Sequence, residues 1–418
     1  MKRILYVAYH FPPQAGSSGL LRSLKFCRYL PEFGWLPTVL SVRPMAYERI
    51  DDRMLAEIPP EVIVLRTFAL DTRRHLAYGN RYVSWLALPD RWVSWCLFAV
   101  PSGLISILRN RPDLIFTTFP IATAVLIGLI LHRITRIPWV VDFRDSMTED
   151  EYPLDPQTRN IYRWLESQAV RHGSLFLFTA PQTIEMYLNR YPRLAPEKCV
   201  LLRNGFDEND FASLQITQPE PVPKSRPLRI LHAGLLYPQE RDPRPFFQAL
   251  YRLKNEGRIT ASTLRIDLRA SGEEKYYRDL LDKLGIQDIV HLLPPISYQS
   301  VLLEGATADA LLVMQGVTCN HQIPAKVYEY MRLRRPILAL TTNEGDTAAL
   351  LREVGGATIT NMYAENDIHD SLLNFLNSVR EANHPLPDSG KTNMYSRREQ
   401  ARELSHYLLQ VCDGKPDH

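Results

Sequence analysis

Cysteine is scarce and scattered: Cys27, Cys96, Cys199, Cys319 and Cys412 are the five, and none forms a Cys-x-x-Cys pair. An odd, dispersed set argues against a disulfide framework and against a zinc site, and fits a reducing cytoplasm. Excess charge is missing too. Lys and Arg number 49 against 46 Asp and Glu, a net charge of +3, which is too mild for a nucleic-acid binder. Long apolar runs are absent: Ile121 to Leu131 suits a buried helix rather than a span. Val93 to Leu108 is broken by Pro101, Ser102 and Gly103, so no transmembrane helix is expected. The run behind Met1-Lys2-Arg3 stops at Tyr9-His10-Phe11-Pro12-Pro13, short of a signal-peptide core. Also lacking are repeats at solenoid periods, an Asp-x-Asp pair in a metal-binding context, and paired carboxylates of the glycosidase type.

What is present is an ordinary globular composition, 45% hydrophobic and 23% charged, in 418 residues. That length suits two domains of about 200 residues each. Ile4 to Ala8 reads as a buried strand, followed by a glycine-containing loop and a helix from about Ser18. Further strands are expected at Leu36–Val42, Val62–Arg66, Asp113–Thr118 and Trp139–Asp142, with a helix over Ile121–Arg133. Pro219, Pro221, Pro223 and Pro227 mark a linker. The strand–helix rhythm restarts at Leu228. The expected domains are 1–212, a linker at 213–227, 228–390, and a C-terminal helix within 391–418 that crosses back to the first domain. Strands alternating with helices imply an α/β protein with two doubly wound domains and a cleft between them.

Four places could carry chemistry. The loop with Gly16 and Ser17 lets backbone N–H groups approach an anion, or is a simple turn. Asp142, Arg144 and Asp145 stand at the carboxyl end of a strand, either as an ion-paired corner or as a site. Lys326, Glu329 and Tyr330 share one helix face at i, i+3 and i+4. A lysine there adds to the positive end of the helix dipole and could hold a diphosphate, with Glu329 accepting from vicinal hydroxyls. The plain alternative is an exposed Lys–Glu pair, worth about 0.2–0.5 kcal/mol. Lastly, Trp85, Trp92, Trp95 and Phe98 lie among Arg81 and Arg91, which suits a packed helical hairpin or a membrane-facing surface.

Pro324-Ala-Lys-Val-Tyr-Glu-Tyr-Met331, followed by Arg334-Arg-Pro-Ile-Leu-Ala-Leu340, resembles the nucleotide-sugar motif of the family 4 glycosyltransferases. Phe11-Pro-Pro after the first strand, Asp142-Phe-Arg-Asp145 and the turn Asn204-Gly-Phe-Asp207 resemble other motifs of that family. The resemblance implies the GT-B fold, two Rossmann-like doubly wound domains facing a central cleft. It implies transfer of a sugar, with retention, from a nucleoside-diphosphate sugar to a saccharide or lipid-linked acceptor. No metal or other cofactor and no nucleic acid are implied, and the expected place is the cytoplasm, peripherally on the inner face of the membrane.

By that resemblance Arg241 and Lys326 stabilise the diphosphate, Gly234 lies beside it and Glu329 holds the ribose. His321, Gly345 and Asp346 face the donor sugar. Asp142 orients or deprotonates the acceptor, near Arg144, Asp145 and the Gly16–Ser17 loop, and Asn204 closes the first domain. The chain departs from the family at Leu235, where an arginine is usual, at His321, where a glutamate is usual, and at Ala270-Ser271-Gly272, where Gly-x-Gly is usual. The alternatives are a non-catalytic GT-B-shaped carbohydrate-binding partner and a nucleotide-sugar epimerase.

Overall fold

The computed structural model describes residues 1–414 except Ser17, Asn80, Glu151 and Gln239. The chain forms two compact units, Met1–Arg203 with the segment from Arg397 onward, and Asn204–Ser396. In the first, β1 (Lys2–Val7), β2 (Trp35–Val42), β3 (Ile63–Thr67), β4 (Leu114–Thr118), β5 (Trp139–Phe143), β6 (Leu175–Phe178) and β7 (Cys199–Leu201) make one parallel sheet. Its order is β3-β2-β1-β4-β5-β6-β7. Both faces are covered, as a parallel sheet requires. Leu5, Val7 and Tyr9 enter one apolar cluster, while the alternating Ile4, Tyr6 and Ala8 enter the other.

In the second unit, β8 (Leu228–Ala233), β9 (Leu264–Arg269), β10 (Val290–Leu293), β11 (Ala310–Gln315), β12 (Ile337–Thr341) and β13 (Ala357–Thr360) lie in the order β10-β9-β8-β11-β12-β13. Both sheets thus reverse strand order beside their first strand, between β1 and β4 and between β8 and β11. Ligands of open α/β sheets bind at such switch points, outside the carboxyl ends of the strands.

The unit boundary falls between Arg203 and Asn204, ahead of the proline-rich stretch. That stretch is strapped to the second unit rather than spanning the two. Val222 is buried in its core and donates its N–H to the Arg380 carbonyl at 2.9 Å, and Arg226 grips Asp309. The last helix, Arg397–Asp413, packs Ala401, Leu404 and Leu408 into the cluster that holds Leu24 and Cys27 of the helix Ser18–Tyr29. Arg398 pairs with Glu32 at 2.7 Å and Asp413 with Lys2 at 2.9 Å beside it.

Two sequence expectations need correction. Residues 95–110 form one helix, Trp95–Asn110, that runs through Pro101. Pro101 faces solvent, where the carbonyl it leaves unbonded can be hydrated, and Gly103 admits Leu131 so closely that a Cβ would lie 2.9 Å from it. The supposed breakers are therefore the solvent and packing faces of one helix. The tryptophans also divide. Trp95 is fully buried and Trp92 is half-buried against Tyr9, with ring centroids 4.6 Å apart, so these two belong to the core. Trp85 and Phe98 remain exposed.

Candidate functional site

At the switch point of the second unit, the loop after β8 meets the loop after β11. Gly316 allows this approach, since a Cβ there would lie 1.8 Å from the Glu240 carbonyl oxygen. The helix Ala325–Leu333 follows, with Pro324 one residue ahead of it in the capping position. Lys326 reaches back from its first turn to the end of β8. Its Nζ lies 3.4 Å from His232 Nε2, and 2.7 Å from where a Cβ of Gly234 would stand. Gly234 also has φ +114°, a conformation that side chains strongly disfavour. The loop is therefore shaped around the lysine.

Burial, then the nearby positive charge of Arg241, lower the Lys326 pKa to about 7, while the charge of Glu329 opposes them. Arg241 lies over the Tyr237 ring, 5.7 Å from its centroid, and its Nε is a buried donor with no acceptor among the described residues. Two cationic groups thus converge with a donor unsatisfied, which in a native structure asks for an explanation such as an anionic ligand. Glu329, one turn on, accepts from the Tyr298 hydroxyl at 2.9 Å. Tyr330 takes the Ala233 N–H on its hydroxyl at 3.0 Å and so ties the helix to β8.

The loop carrying His321 is fastened to the start of the helix Asp346–Val354. Asn320 accepts from Thr342 Oγ1 at 2.6 Å and from the Asp346 N–H at 2.8 Å, and Thr347 Oγ1 donates to the Gln322 carbonyl at 3.1 Å. Gly345 fits because a Cβ would come within 2.8 Å of Asn320 Oδ1. Gly345 occupies the capping position and Asp346 the first helical one. His321, Gly345 and Asp346 are thereby gathered beside the lysine helix.

In the first unit, Asp142 is not open to a ligand. Arg22 donates to both of its carboxylate oxygens, Thr118 Oγ1 donates to one of them, and the carboxylate is fully buried. Arg22 also donates to the carbonyls of Leu202 and Arg203. Asp142 is thus ion-paired, but with Arg22 rather than with Arg144, and a fully engaged buried carboxylate cannot reach an acceptor hydroxyl. Arg144 and Asp145 lie further along, half-buried. Arg144 donates to the Gly19 carbonyl at 2.9 Å, and burial holds the Asp145 carboxyl above the usual aspartate range.

Beside them His10 Nδ1 lies 2.7 Å from Gln14 Oε1, and burial lowers its pKa to about 4, so the ring stays neutral. Gly16 has φ +83° in the same loop, while Ser17 lies outside the described residues. Asn204 is the first residue of the second unit, half-buried. Sequence reasoning missed His232, Tyr298, His10 and Arg22. A histidine inside a buried strand was a visible signal for the first. The others lack a local signal.

Residues 25–205 match the family model described as glycosyl transferase 4-like domain. A comparison with curated proteins finds no match. Among solved structures, sucrose-phosphate synthase from Thermosynechococcus elongatus superposes with a TM-score of 0.63 at 13% identity, covering 99% of this chain and 97% of that one. Anabaena HepE, solved with UDP and glucose, gives a TM-score of 0.59 at 15% identity over 99% and 98% of the two chains. UDP-GlcNAc 2-epimerase from Methanocaldococcus jannaschii gives 0.55 at 12% over 98% and 99%. At these identities the likeness concerns the fold. The fold is GT-B, two Rossmann-like domains, with the glycosyltransferase 4-like match covering most of the first.

Proposed function

We infer that the protein transfers a sugar from a nucleoside-diphosphate donor, held by the second unit, to a saccharide or lipid-linked acceptor, held by the first. The observation that carries this is the convergence of Lys326 and the unsatisfied Arg241 donor at the switch point. Negative charge develops on the departing diphosphate, and fixed cations in a partly dry site stabilise it without reorganising. Arg241 and Lys326 supply that charge, so the transfer needs no metal. Glu329, steadied by Tyr298, receives the ribose hydroxyls. His321, Gly345 and Asp346 face the donor sugar. Orientation of the acceptor hydroxyl falls to Asp145 and neutral His10, because Asp142 is sequestered.

The glycosyltransferase 4-like match favours transfer over epimerisation. HepE, a neighbour in fold, was solved with UDP, which makes uridine the first nucleotide to try. A thermal-shift panel of UDP-, GDP- and other nucleotide sugars tests the reading, with stabilisation by one nucleotide class expected.

The acceptor side carries a second feature. Leu97, Pro101, Ile105 and Leu108 form an exposed apolar stripe on the helix Trp95–Asn110, with Leu97 74% and Leu108 78% exposed. Beside it in sequence, Arg73, Arg74, Tyr78, Arg81, Tyr82 and Trp85 are exposed. From Thr72 to Pro112 the sole acidic residue is Asp90, and it turns inward onto Thr123. An apolar stripe with arginine and no outward carboxylate suits a shallow contact with an anionic bilayer. No helix among the described residues is long and apolar enough to cross a membrane. We therefore read the protein as peripheral on the cytoplasmic face, with a lipid-linked acceptor.

A further inference from the structure

We propose that His232 is a positioning residue that holds the Lys326 ammonium on the donor diphosphate through its Nε2 lone pair. The proposal rests on the donor-site reading above. His232 lies at the end of β8 and is fully buried. Its Nδ1 is 2.8 Å from the carbonyl oxygen of Leu312 in β11. A carbonyl only accepts, so the ring proton sits on Nδ1 and Nε2 is left as an acceptor. Lys326 Nζ lies 3.4 Å from Nε2, and an ammonium only donates. The directions of the two contacts agree, and the imidazole becomes a strut between the β11 backbone and the lysine.

The ring must remain neutral for this to work, because an imidazolium would oppose the lysine. Burial first, then the charges of Lys326 and Arg241, push its pKa well below the usual histidine value, against the carbonyls of Leu312 and Gly234. The charged groups acting on Lys326 are Arg241 from the loop after β8 and Glu329 on its own helix. A long, flexible lysine loses rotamer freedom when it binds phosphate. Holding Nζ beforehand, in the space that Gly234 leaves open, reduces that loss when the donor arrives. Because a hydrogen bond to the charged form favours it, the ring also helps Lys326 keep its proton.

The test compares UDP and GDP binding to wild type, His232→Phe, which keeps ring bulk but has no acceptor, and His232→Gln, whose amide oxygen can replace Nε2. Calorimetry across pH is the readout. The expected result for His232→Phe is about tenfold weaker binding, with the loss of affinity at high pH setting in at a lower pH than in wild type, and recovery in His232→Gln. A purely packing role would lower the melting temperature of His232→Phe and leave its pH profile in place. If wild type binds and His232→Phe matches it in affinity and pH profile, the positioning role is wrong and the donor site stands. If wild type binds neither nucleotide, the donor reading falls and takes the proposal with it. Nitrogen-15 spectra of histidine-labelled wild type provide a measurement that needs no variant. They should show His232 protonated on Nδ1, with an Nε2 signal that moves when UDP is added. A proton on Nε2 would overturn the proposal.

Discussion

Arg22 holds both carboxylate oxygens of Asp142, at 3.0 and 2.9 Å, with neither side chain open to solvent. The residues come from the helix Ser18–Tyr29 and from β5, and the same guanidinium reaches the carbonyls of Leu202 and Arg203 just beyond β7. One side chain thus ties three parts of the first unit together. Arg22→Met should cost about 3–5 kcal/mol in urea unfolding, because it strands a buried charge. Asp142→Asn should be destabilised as well, whatever it does to turnover. An Asp142→Asn protein of full stability and no activity would restore the catalytic reading of Asp142.

Nucleotide affinity should depend on Lys326 and Glu329 separately. Lys326→Ala removes a charge-assisted contact to phosphate, and Glu329→Ala one to ribose. A loss of about 1.5–3 kcal/mol each corresponds to roughly ten- to hundredfold weaker binding. Tyr298→Phe should give a smaller loss, since it frees the carboxylate that it now steadies. Calorimetry with UDP and GDP decides the matter, and folded variants that bind like wild type would remove both residues from the site.

The depressed pKa of Lys326 sets two opposite pH dependences. An ordinary lysine titrates near about 10.4, but in the folded protein this one does so at about 7. Between those values the unfolded chain binds more protons than the folded one, so this group makes the unliganded protein more stable as pH rises. A bound diphosphate favours the ammonium, so donor affinity should be highest below about pH 7 and fall by up to about tenfold per unit above it. Calorimetry in two buffers of different ionisation enthalpy should register proton uptake near neutral pH. A flat affinity between about pH 6 and about pH 9 would contradict the assignment.

Much of this was legible in the sequence, and the reasons differ by element. β4, β5 and β6 are buried on both faces, so each opens on consecutive apolar residues, and β6 is apolar throughout. The Lys326–Glu329–Tyr330 face follows from helical spacing alone. Arg22 with Asp142 did not show, because the partners stand 120 residues apart and only the β-sheet order brings them together. His232 stood out as a histidine inside a buried strand, but its partners did not show, since Leu312 and Lys326 come from later elements. Pro101 misled because propensity says nothing of the helix Ala122–Thr135 that packs Leu131 against Gly103.

The membrane reading separates exposed from buried apolar residues. Leu97→Ser with Leu108→Ser should change stability by no more than about 0.5 kcal/mol per site and weaken sedimentation with anionic vesicles. High salt should release the wild type. Trp95→Ser, by contrast, should cost about 3–5 kcal/mol, as large-to-small core changes do. If wild type ignores anionic vesicles, the exposed stripe serves something other than a bilayer.

Transfer itself is the most direct test. Purified protein would be incubated with labelled UDP- or GDP-sugars and extracted lipid-linked or saccharide acceptors, with and without EDTA, and with Lys326→Ala alongside. The account predicts that label moves to an acceptor, that EDTA leaves the rate intact, and that Lys326→Ala loses most of it. Epimerised free donor with no acceptor product, or no turnover of any nucleotide sugar, would contradict it.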